Sequence, residues 1–199
     1  MKGKTFGTLD LARLLRLAPT LRELARGELL EQATNVLAFG LPGTGKSHGA
    51  AALGHALVDL GHAVFFTPTF RLVQDLLAAK RDLALPRALR QLDKYDLLIL
   101  DDIGYVKQNP DEIEVLFTLL AERYERRSVL VTSNLVFSEW DRIFQNPMTT
   151  AAAIDRLVHH AVILELDVTS YRTENRDART APDPAAPRTP GGGRKNRQK

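Results

Sequence analysis

Short apolar runs alternate with segments of helical periodicity along this chain. The apolar runs predict strands at 35–39, 62–67, 95–100, 128–134 and 161–166. The periodic segments predict helices at 47–60, 70–83, 86–93, 110–127, 139–144 and 149–159. Because Leu97–Leu100 is a continuous apolar run, its strand should be buried on both faces, as in a parallel sheet covered by helices. The pattern therefore predicts an α/β domain built on a five-stranded parallel sheet.

The two ends of the chain differ from this core. Leucines recur at helical spacing from Leu9 to Leu30 and Pro19 interrupts them, so two helical pieces are predicted, with Thr20 capping the second. From residue 171 the chain is polar and rich in proline and glycine, which is typical of disorder. We therefore expect a helical lead-in at 1–34, a core at 35–170 and a disordered tail at 171–199, with no helical lid domain after the fifth strand.

The first predicted strand runs directly into a glycine-rich loop and a helix. The stretch Gly40–Ser47 fits the phosphate-binding pattern G-x-x-x-x-G-K-[ST] at every fixed position, in the strand–loop–helix context that the pattern requires. Glycines let backbone N–H groups approach a triphosphate closely, Lys46 can place its ammonium on the β- and γ-phosphates, and Ser47 can place its hydroxyl on Mg²⁺. We expect ATP and Mg²⁺ to bind here, with nucleotide contacts from Gly40, Pro42, Gly43, Thr44, Gly45, Lys46, Ser47 and His48.

Carboxylate and amide groups stand at the ends of two further predicted strands. Asp101 and Asp102 come directly after Leu97–Leu100, and Asn134 ends the strand at 128–134. Right-handed crossovers in a parallel sheet place ligands beyond the carboxyl ends of the strands, so these side chains should lie near the phosphate loop. Asp101 could then reach Mg²⁺ through water, Asp102 could orient or deprotonate the attacking water, and Asn134 could hydrogen-bond that water or the γ-phosphate. The alternative for all three is an ordinary turn or cap at the end of a strand.

Two features of the last predicted helix have competing interpretations. Arg156 could supply positive charge to the γ-phosphate bound by a neighbouring subunit, or it could be a surface arginine paired within its own helix. His159 and His160 are adjacent, so on a helix they point to different faces, and the sequence offers no ligand partner at helical spacing. We therefore do not expect these histidines to bind a metal, and the expected metal ligands are Ser47 and Asp101.

Composition and charge limit the classes of protein that fit. The chain has 199 residues, enough for one domain, with 44% hydrophobic and 26% charged residues, as in soluble globular proteins. It has no cysteine, which excludes disulfides and thiolate metal sites and suits the cytoplasm. No signal peptide or membrane span is predicted.

The net charge is +3, yet the tail alone holds eight Lys or Arg and three acidic residues. The tail could contact nucleic acid non-specifically or be a solvated end.

Four stretches of the sequence carry a family resemblance. Two of them are the phosphate loop Gly40–Ser47 and the third predicted strand with its two aspartates, Leu97–Asp102. The other two, which carry most of the resemblance, are Thr132–Phe144 and Ala151–His160. In these stretches the chain resembles the IstB-like ATPases, helper ATPases of bacterial insertion-sequence transposition that are related to the DnaC-like helicase loaders in the AAA+ superfamily. The resemblance runs from about Leu9 to Arg172, and the stretch through Trp140 is more specific to the family than the phosphate loop.

The resemblance implies a strand order and partners. The strand that ends at Asn134 should separate the phosphate-loop strand from the strand that ends at Asp101. Such ATPases assemble into ATP-dependent oligomers on duplex DNA, mainly by non-specific backbone contact, and recruit or stimulate the transposase of the same element. The resemblance also implies a role for each candidate residue. Lys46 and Ser47 would be Walker A residues, and Asp101 and Asp102 would be Walker B residues. Asn134 would be sensor 1, and Arg156 would be the arginine finger.

Departures from the family pattern leave alternatives. Asp102 stands where AAA+ enzymes more often have Glu, which is one methylene longer, so hydrolysis should be slow. Only residues 1–34 precede the first strand, whereas family members usually carry a further segment there, and Arg172 is the candidate for a sensor-2 arginine. The alternative functions are a DnaC-like replicative helicase loader and a degenerate nucleotide-binding module without turnover. A small-molecule kinase is not favoured, because the sequence has no arginine-rich lid.

Overall fold

The computed structural model of the protein describes residues 3–10, 12–105, 109–144 and 146–168, which form an α/β fold. The strands are β1 (Asn35–Gly40), β2 (Val64–Pro68), β3 (Leu97–Asp101), β4 (Ser128–Ser133) and β5 (Ala161–Leu166). The helices are α1 (Ala18–Leu24), α2 (Glu28–Glu31), α3 (Lys46–Asp59), α4 (Thr69–Arg81), α5 (Leu85–Leu92), α6 (Pro110–Arg123), α7 (Asp141–Phe144) and α8 (Pro147–Val158). Short 3₁₀ turns lie at Ile103–Tyr105 and Phe137–Glu139.

All strand pairings in the sheet are parallel, and the strands lie in the order β2-β3-β4-β1-β5. Each strand begins within two residues of its predicted start. Parallel neighbours need crossover connections, and the helices supply them on both faces of the sheet. The structure therefore confirms the predicted five-stranded parallel sheet, and it confirms that β4 separates β1 from β3.

Side chains of the central strands alternate between two apolar cores. In β1, Leu37 and Phe39 belong to the core that α4, α6, α7 and α8 complete, whereas Val36 and Ala38 belong to the core that α1 and α3 complete. The apolar run Leu97–Leu100 is fully buried, as its composition predicts. A shift of one residue would exchange the faces of every side chain in a strand, so this two-sided burial fixes the strand register. The register in turn fixes the heights at which the strands end.

The segment before β1 packs on the same sheet but is less helical than predicted. Residues 12–17 form turns, and α1 begins at Ala18, so Pro19 lies in the first helical turn and Thr20 does not cap the helix. Proline is tolerated there because the first N–H groups of a helix have no partner within it. Leu9 and Leu14 are buried in the core beside α3. Apolar spacing therefore predicted the buried face correctly and the helix start wrongly.

Helix α6 ends at Arg123, four residues before its predicted end, and Tyr124 then leaves the helical conformation with a ψ of 128°. The guanidinium of Arg123 turns into the protein. Its Nη1 and Nη2 donate hydrogen bonds of 3.0–3.3 Å to the carbonyl oxygens of Leu92, Tyr95, Asp96 and Ser128. Burial lowers the pKa of Arg123 to about 10, so the group stays charged at neutral pH. Arg123 therefore ties the end of α6 to the starts of β3 and β4.

The segment between β4 and α8 packs around Trp140, which is fully buried. Its indole Nε1–H donates to the carbonyl oxygen of Leu135 at 3.1 Å. Its ring contacts Phe39, Phe137 and Phe144, with centroids 5.2–6.2 Å apart. The helix predicted at 139–144 is instead a 3₁₀ turn followed by α7. Trp140 thus anchors the chain that follows Asn134 onto the phosphate-loop strand.

Predictions for the end of the chain lie outside the described residues. They concern the disordered tail at 171–199, the lack of a lid domain after β5, and Arg172. Within the residues that the structure describes, no helix is both long and apolar enough to cross a membrane.

Asn35 joins three elements at the start of β1. Its Nδ2 donates to the carbonyl oxygen of Leu157 at 3.1 Å, and its Oδ1 accepts from the backbone N–H of Val129 at 2.9 Å. Its own N–H donates to the carbonyl oxygen of His160 at 2.7 Å. The side chain of Asn35 therefore pairs β1 with β4 and α8. Because Asn35 is buried, water could not replace these hydrogen bonds if the side chain were removed.

Replacing Asn35 by alanine should lower the free energy of unfolding by about 1–3 kcal/mol, since it leaves the Val129 N–H and the Leu157 carbonyl without their partner. Urea denaturation measures the loss. The control is Gln32→Ala at an exposed amide three residues earlier, which should change stability by less than about 0.5 kcal/mol. Equal losses in the two variants would contradict the role given to Asn35.

Candidate functional site

The candidate site begins where β1 ends. Gly40, Gly43 and Gly45 have φ angles of 155°, 86° and 100°, which glycine adopts without strain. At Gly40 a Cβ atom would also lie 2.7 Å from the carbonyl oxygen of Leu166 in β5, so a side chain there would push the loop away from the sheet. The loop leads directly into α3, and the positive end of that helix dipole faces it. The local backbone is therefore suited to an anionic ligand.

The Lys46 side chain folds back over this loop and is nine-tenths buried. Its Nζ donates to the carbonyl oxygens of Gly40 at 2.6 Å and of Leu41 at 2.8 Å. Thr44 Oγ1 donates to the same Leu41 carbonyl at 2.8 Å. These bonds hold a positive charge against the loop at the start of α3, where charge-assisted hydrogen bonds to phosphate are strong.

A hydroxyl group on β4 connects Asp101 and Asp102 at the end of β3. Thr132 Oγ1 donates to Asp101 Oδ1 at 2.7 Å and accepts a hydrogen bond from the backbone N–H of Asp102 at 2.8 Å. Thr69 Oγ1 donates to the carbonyl oxygen of Asp101 at 3.0 Å. Asp102 has a φ of +59°, in the left-handed region, so the chain turns out of the sheet directly after Asp101. The neighbouring strand therefore orients the Asp101 carboxylate, a group that suits Mg²⁺.

Asn134 follows β4 and packs against Gly104. Ser133 pairs with Phe39, so Asn134 follows at the level of Gly40, where the phosphate loop begins. A Cβ atom at Gly104 would lie 2.6 Å from Asn134 Oδ1, which real Cβ atoms do not tolerate. That oxygen is buried and accepts no hydrogen bond within the described part of the chain. Asn134 can therefore occupy this position only because residue 104 has no side chain.

The structure does not bring Arg156 to the phosphate loop of its own chain. Its guanidinium carbon lies 4.7 Å from the ring centroid of Phe117 on α6, and its Nη1 donates to the carbonyl oxygen of Ala152 at 2.9 Å. Its carbonyl oxygen lies 3.4 Å from Nδ2 of Asn35 at the start of β1, whereas Gly40 is at the other end of that strand, about 16 Å away. Arg156 could therefore contact a nucleotide only when that nucleotide is bound to another molecule.

Residues 3–10 form one wall of a cavity beside the phosphate loop. His48 Nε2 lies 3.0 Å from Thr8 Oγ1, and this hydrogen bond joins the segment to the first turn of α3. The cavity has a volume of about 400 Å³ and is lined from two directions by Lys4, Thr8 and Asp10 and by Gly45, Ser47 and His48. Its size is within the range of cofactor pockets.

Sequence reasoning identified the loop and the strand ends but missed the residues that support them. Thr132 hydrogen-bonds to Asp101 from the neighbouring strand, and Gly104, in the turn after β3, leaves space for Asn134. No local sequence pattern marks either residue. A hydroxyl at the level of Asp101 could have been noticed once β4 was predicted beside β3. Thr8 gave no signal, because its partner lies 40 residues further along the chain.

Comparison with known proteins identifies relatives among insertion-sequence proteins. The family model described as IstB-like ATP binding protein matches residues 9–179. An insertion-sequence ATP-binding protein of Sinorhizobium fredii is 49% identical over 172 residues, which cover 85% of this chain and 58% of that protein. An ATP-binding protein of insertion sequence IS21 from Pseudomonas aeruginosa is 43% identical over 155 residues, which cover 78% of this chain and 58% of that protein. The chain thus spans less than two thirds of the length of these relatives.

Solved structures share the fold at low sequence identity. DnaI superposes with a TM-score of 0.69 at 18% identity, over 83% of this chain and 90% of that one. The DnaC helicase loader superposes with a TM-score of 0.65 at 19% identity, over 79% and 90%. These likenesses establish the AAA+ fold alone. The match over most of the chain, together with the close insertion-sequence relatives, establishes that this chain belongs to the IstB-like ATP-binding protein family.

Proposed function

We propose that this chain is an ATP-hydrolysing helper of DNA transposition, which assembles on duplex DNA in an ATP-dependent way and recruits or stimulates the transposase of its insertion sequence. One observation carries the proposal. The phosphate loop, the Thr132-bound Asp101 and Asn134 meet at one sheet edge in a chain that is 43–49% identical to insertion-sequence ATP-binding proteins. The carboxyl edge of a parallel sheet is where such folds bind nucleotides.

Each group at this edge has a proposed task. Lys46 would bind the β- and γ-phosphates, and Ser47 with Asp101 would hold Mg²⁺, which neutralises phosphate charge. Asp102 would orient or deprotonate the attacking water, and Asn134 would hydrogen-bond that water or the γ-phosphate. Because Asp102 is one methylene shorter than glutamate, we expect slow turnover, which suits a protein whose ATP-bound state holds an assembly on DNA.

Arg156 would complete the site of a neighbouring subunit. The Phe117 ring already holds its guanidinium by a cation–π contact, so its position is restricted before any neighbour binds. An arginine supplied in trans stabilises the charge that develops on the transferred phosphoryl group and accelerates hydrolysis by orders of magnitude. In this proposal oligomer assembly and ATP hydrolysis depend on each other.

Binding to duplex DNA would be mainly non-specific contact with the phosphate backbone, and it should weaken as salt is raised. The eight basic residues of the tail at 171–199 support it through their charge.

A replicative helicase loader is the second candidate, because a DnaC helicase loader shares the fold. Sequence identity of 43–49% to insertion-sequence proteins, against 19% to that loader, favours transposition. Retention of the replicative helicase rather than the element's transposase in an ATP-dependent pull-down would favour the loader.

Lys46→Ala should weaken ATP binding by about tenfold or more, because it removes a charge-assisted contact with phosphate. Titration with a fluorescent ATP analogue measures the affinity. The matched control is Lys94→Ala, an exposed lysine at the amino edge of β3, which should bind as the unsubstituted protein does. Equal affinities for the two variants would contradict the assignment of the nucleotide site.

Gly104→Ala should slow hydrolysis by roughly tenfold to a hundredfold while ATP affinity stays within about twofold, because the added methyl group displaces Asn134 and not the phosphate loop. Steady-state kinetics and a binding titration separate the two effects. The control is Gly49→Ala on α3, where a Cβ atom meets nothing within 4 Å. An unchanged hydrolysis rate for Gly104→Ala would show that hydrolysis does not require Asn134 to lie in its place beside Gly104.

Arg156→Ala should abolish most hydrolysis and leave ATP binding intact. Asp102→Asn should do the same from the opposite side of a shared site. An equimolar mixture should regain activity, because a subunit with an intact Asp102 can then receive Arg156 from its neighbour. The coupled ATPase assay on each variant and on the mixture measures this.

The control is a mixture of Asp102→Asn with Arg22→Ala, a surface variant on α1 that keeps both Asp102 and Arg156. It gives the activity expected when intact subunits are diluted by Asp102→Asn subunits. Circular dichroism and a melting curve establish that Arg156→Ala keeps its fold after losing the contact with Phe117. A mixture of Arg156→Ala and Asp102→Asn with no more than the summed activity of its parts would refute the shared site.

A further inference from the structure

The structure brings a third potential metal ligand to the two adjacent histidines at the end of α8. His159 and His160 are joined by Glu125, which follows α6, so the missing partner comes from 34 positions earlier rather than from helical spacing. One ligand atom from each of the three side chains lies within 4.8 Å of the others. His159 Nδ1 is 3.4 Å from Glu125 Oε1, and the two imidazole rings have centroids 4.3 Å apart. This cluster is on the amino edge of the sheet, opposite the phosphate loop.

The backbone at each of these residues is fixed by the fold. The carbonyl oxygen of His160 accepts the N–H of Asn35 at 2.7 Å, and the N–H of His159 donates to the carbonyl oxygen of Asp155 at 3.0 Å. Glu125 has a φ of +54°, a strained conformation for a side chain other than glycine or asparagine. The side chains of His159 and Glu125 nevertheless remain 48% and 53% exposed. Their positions are thus set by the protein while their polar atoms stay open to solvent.

We propose that Glu125, His159 and His160 bind one divalent transition-metal ion of the Zn²⁺ type. Two imidazole nitrogens and one carboxylate oxygen are a ligand set that zinc accepts, at metal–ligand distances of about 2.0–2.2 Å. In a tetrahedral site such distances place ligand atoms about 3.4 Å apart, which is the separation of His159 Nδ1 and Glu125 Oε1. The fourth position takes water or a group from another molecule. Mg²⁺ is disfavoured, because it prefers oxygen ligands.

Tyr124 lies beside the cluster but is not a ligand in this proposal. Its hydroxyl group is 3.0 Å from His159 Nδ1. Zinc in proteins is bound mostly by Cys, His and Asp or Glu, and a phenol is not among these ligands. A metal ion on Nδ1 of His159 would replace the hydrogen bond between that atom and Tyr124.

Metal binding at this place would connect α6 with α8. These helices already meet where Phe117 of α6 holds Arg156 of α8, one turn before His159. A metal bridge at their ends would restrict the same pair of helices. The site itself does not depend on the proposed ATPase activity, since it uses none of the residues at the carboxyl edge.

The test is a titration of the full chain, without an affinity tag, with ZnCl₂ in the absence of nucleotide. Calorimetry should give one ion per chain for the unsubstituted protein, and Co²⁺ in place of Zn²⁺ should give the visible absorption of a tetrahedral site. His159→Ala, His160→Ala and Glu125→Gln should each weaken binding by about tenfold or more. The matched control His62→Ala, a partly exposed histidine away from the cluster, should bind as before.

The substituted side chains are exposed, so we expect the variants of Glu125, His159 and His160 to fold, and circular dichroism checks that they do. Zn²⁺ should raise the melting temperature of the unsubstituted protein and of His62→Ala, but not that of His159→Ala with His160→Ala. Stoichiometric binding that survives the double substitution would place the ion elsewhere and overturn the proposal. No saturable binding to the unsubstituted protein would overturn it as well. Neither result depends on whether the chain hydrolyses ATP.

Discussion

The parallel register of β1, β4 and β3 is the constraint on which the candidate site depends. Ser133 pairs with Phe39, and Leu100 pairs with Val131, so the phosphate loop, Asn134 and the end of β3 reach the same edge of the sheet. Apolar side chains on both faces hold this register, because a slip of one residue would reverse which side chains each core receives. The polar chemistry at the edge is therefore positioned by burial elsewhere in the sheet.

Within that frame, short polar contacts refine the position of each group. The Thr132 hydroxyl joins Asp101 and the backbone of Asp102, and Lys46 is held by carbonyl oxygens of its own loop. Gly104 leaves the space that Asn134 occupies. These contacts belong to strands and turns that are distant in sequence, so the geometry of the site is a property of the fold. Arg156 is at the other edge, and the proposed chemistry therefore requires a second subunit.

Sequence reasoning predicted the strands and the phosphate loop well, because continuous apolar runs and a glycine pattern are local signals. It placed the start of α1 wrongly, since Pro19 opens that helix instead of interrupting a longer one. It missed Thr132 and Gly104, whose partners lie on other elements. It also gave the histidines at the end of α8 no partner, because Glu125 meets them only through tertiary packing. Long-range contacts were thus the main information that the sequence pattern lacked.

In the proposed function, the ATPase site is completed between subunits on DNA. The decisive measurement is the rate of ATP hydrolysis per subunit against protein concentration, with and without duplex DNA, at two salt concentrations. We expect the rate per subunit to rise with protein concentration, and we expect DNA to increase it at low salt but not at high salt. A rate per subunit that stays near zero at all concentrations and does not respond to DNA, while ATP still binds, would contradict the proposed function and indicate a nucleotide-binding module without turnover.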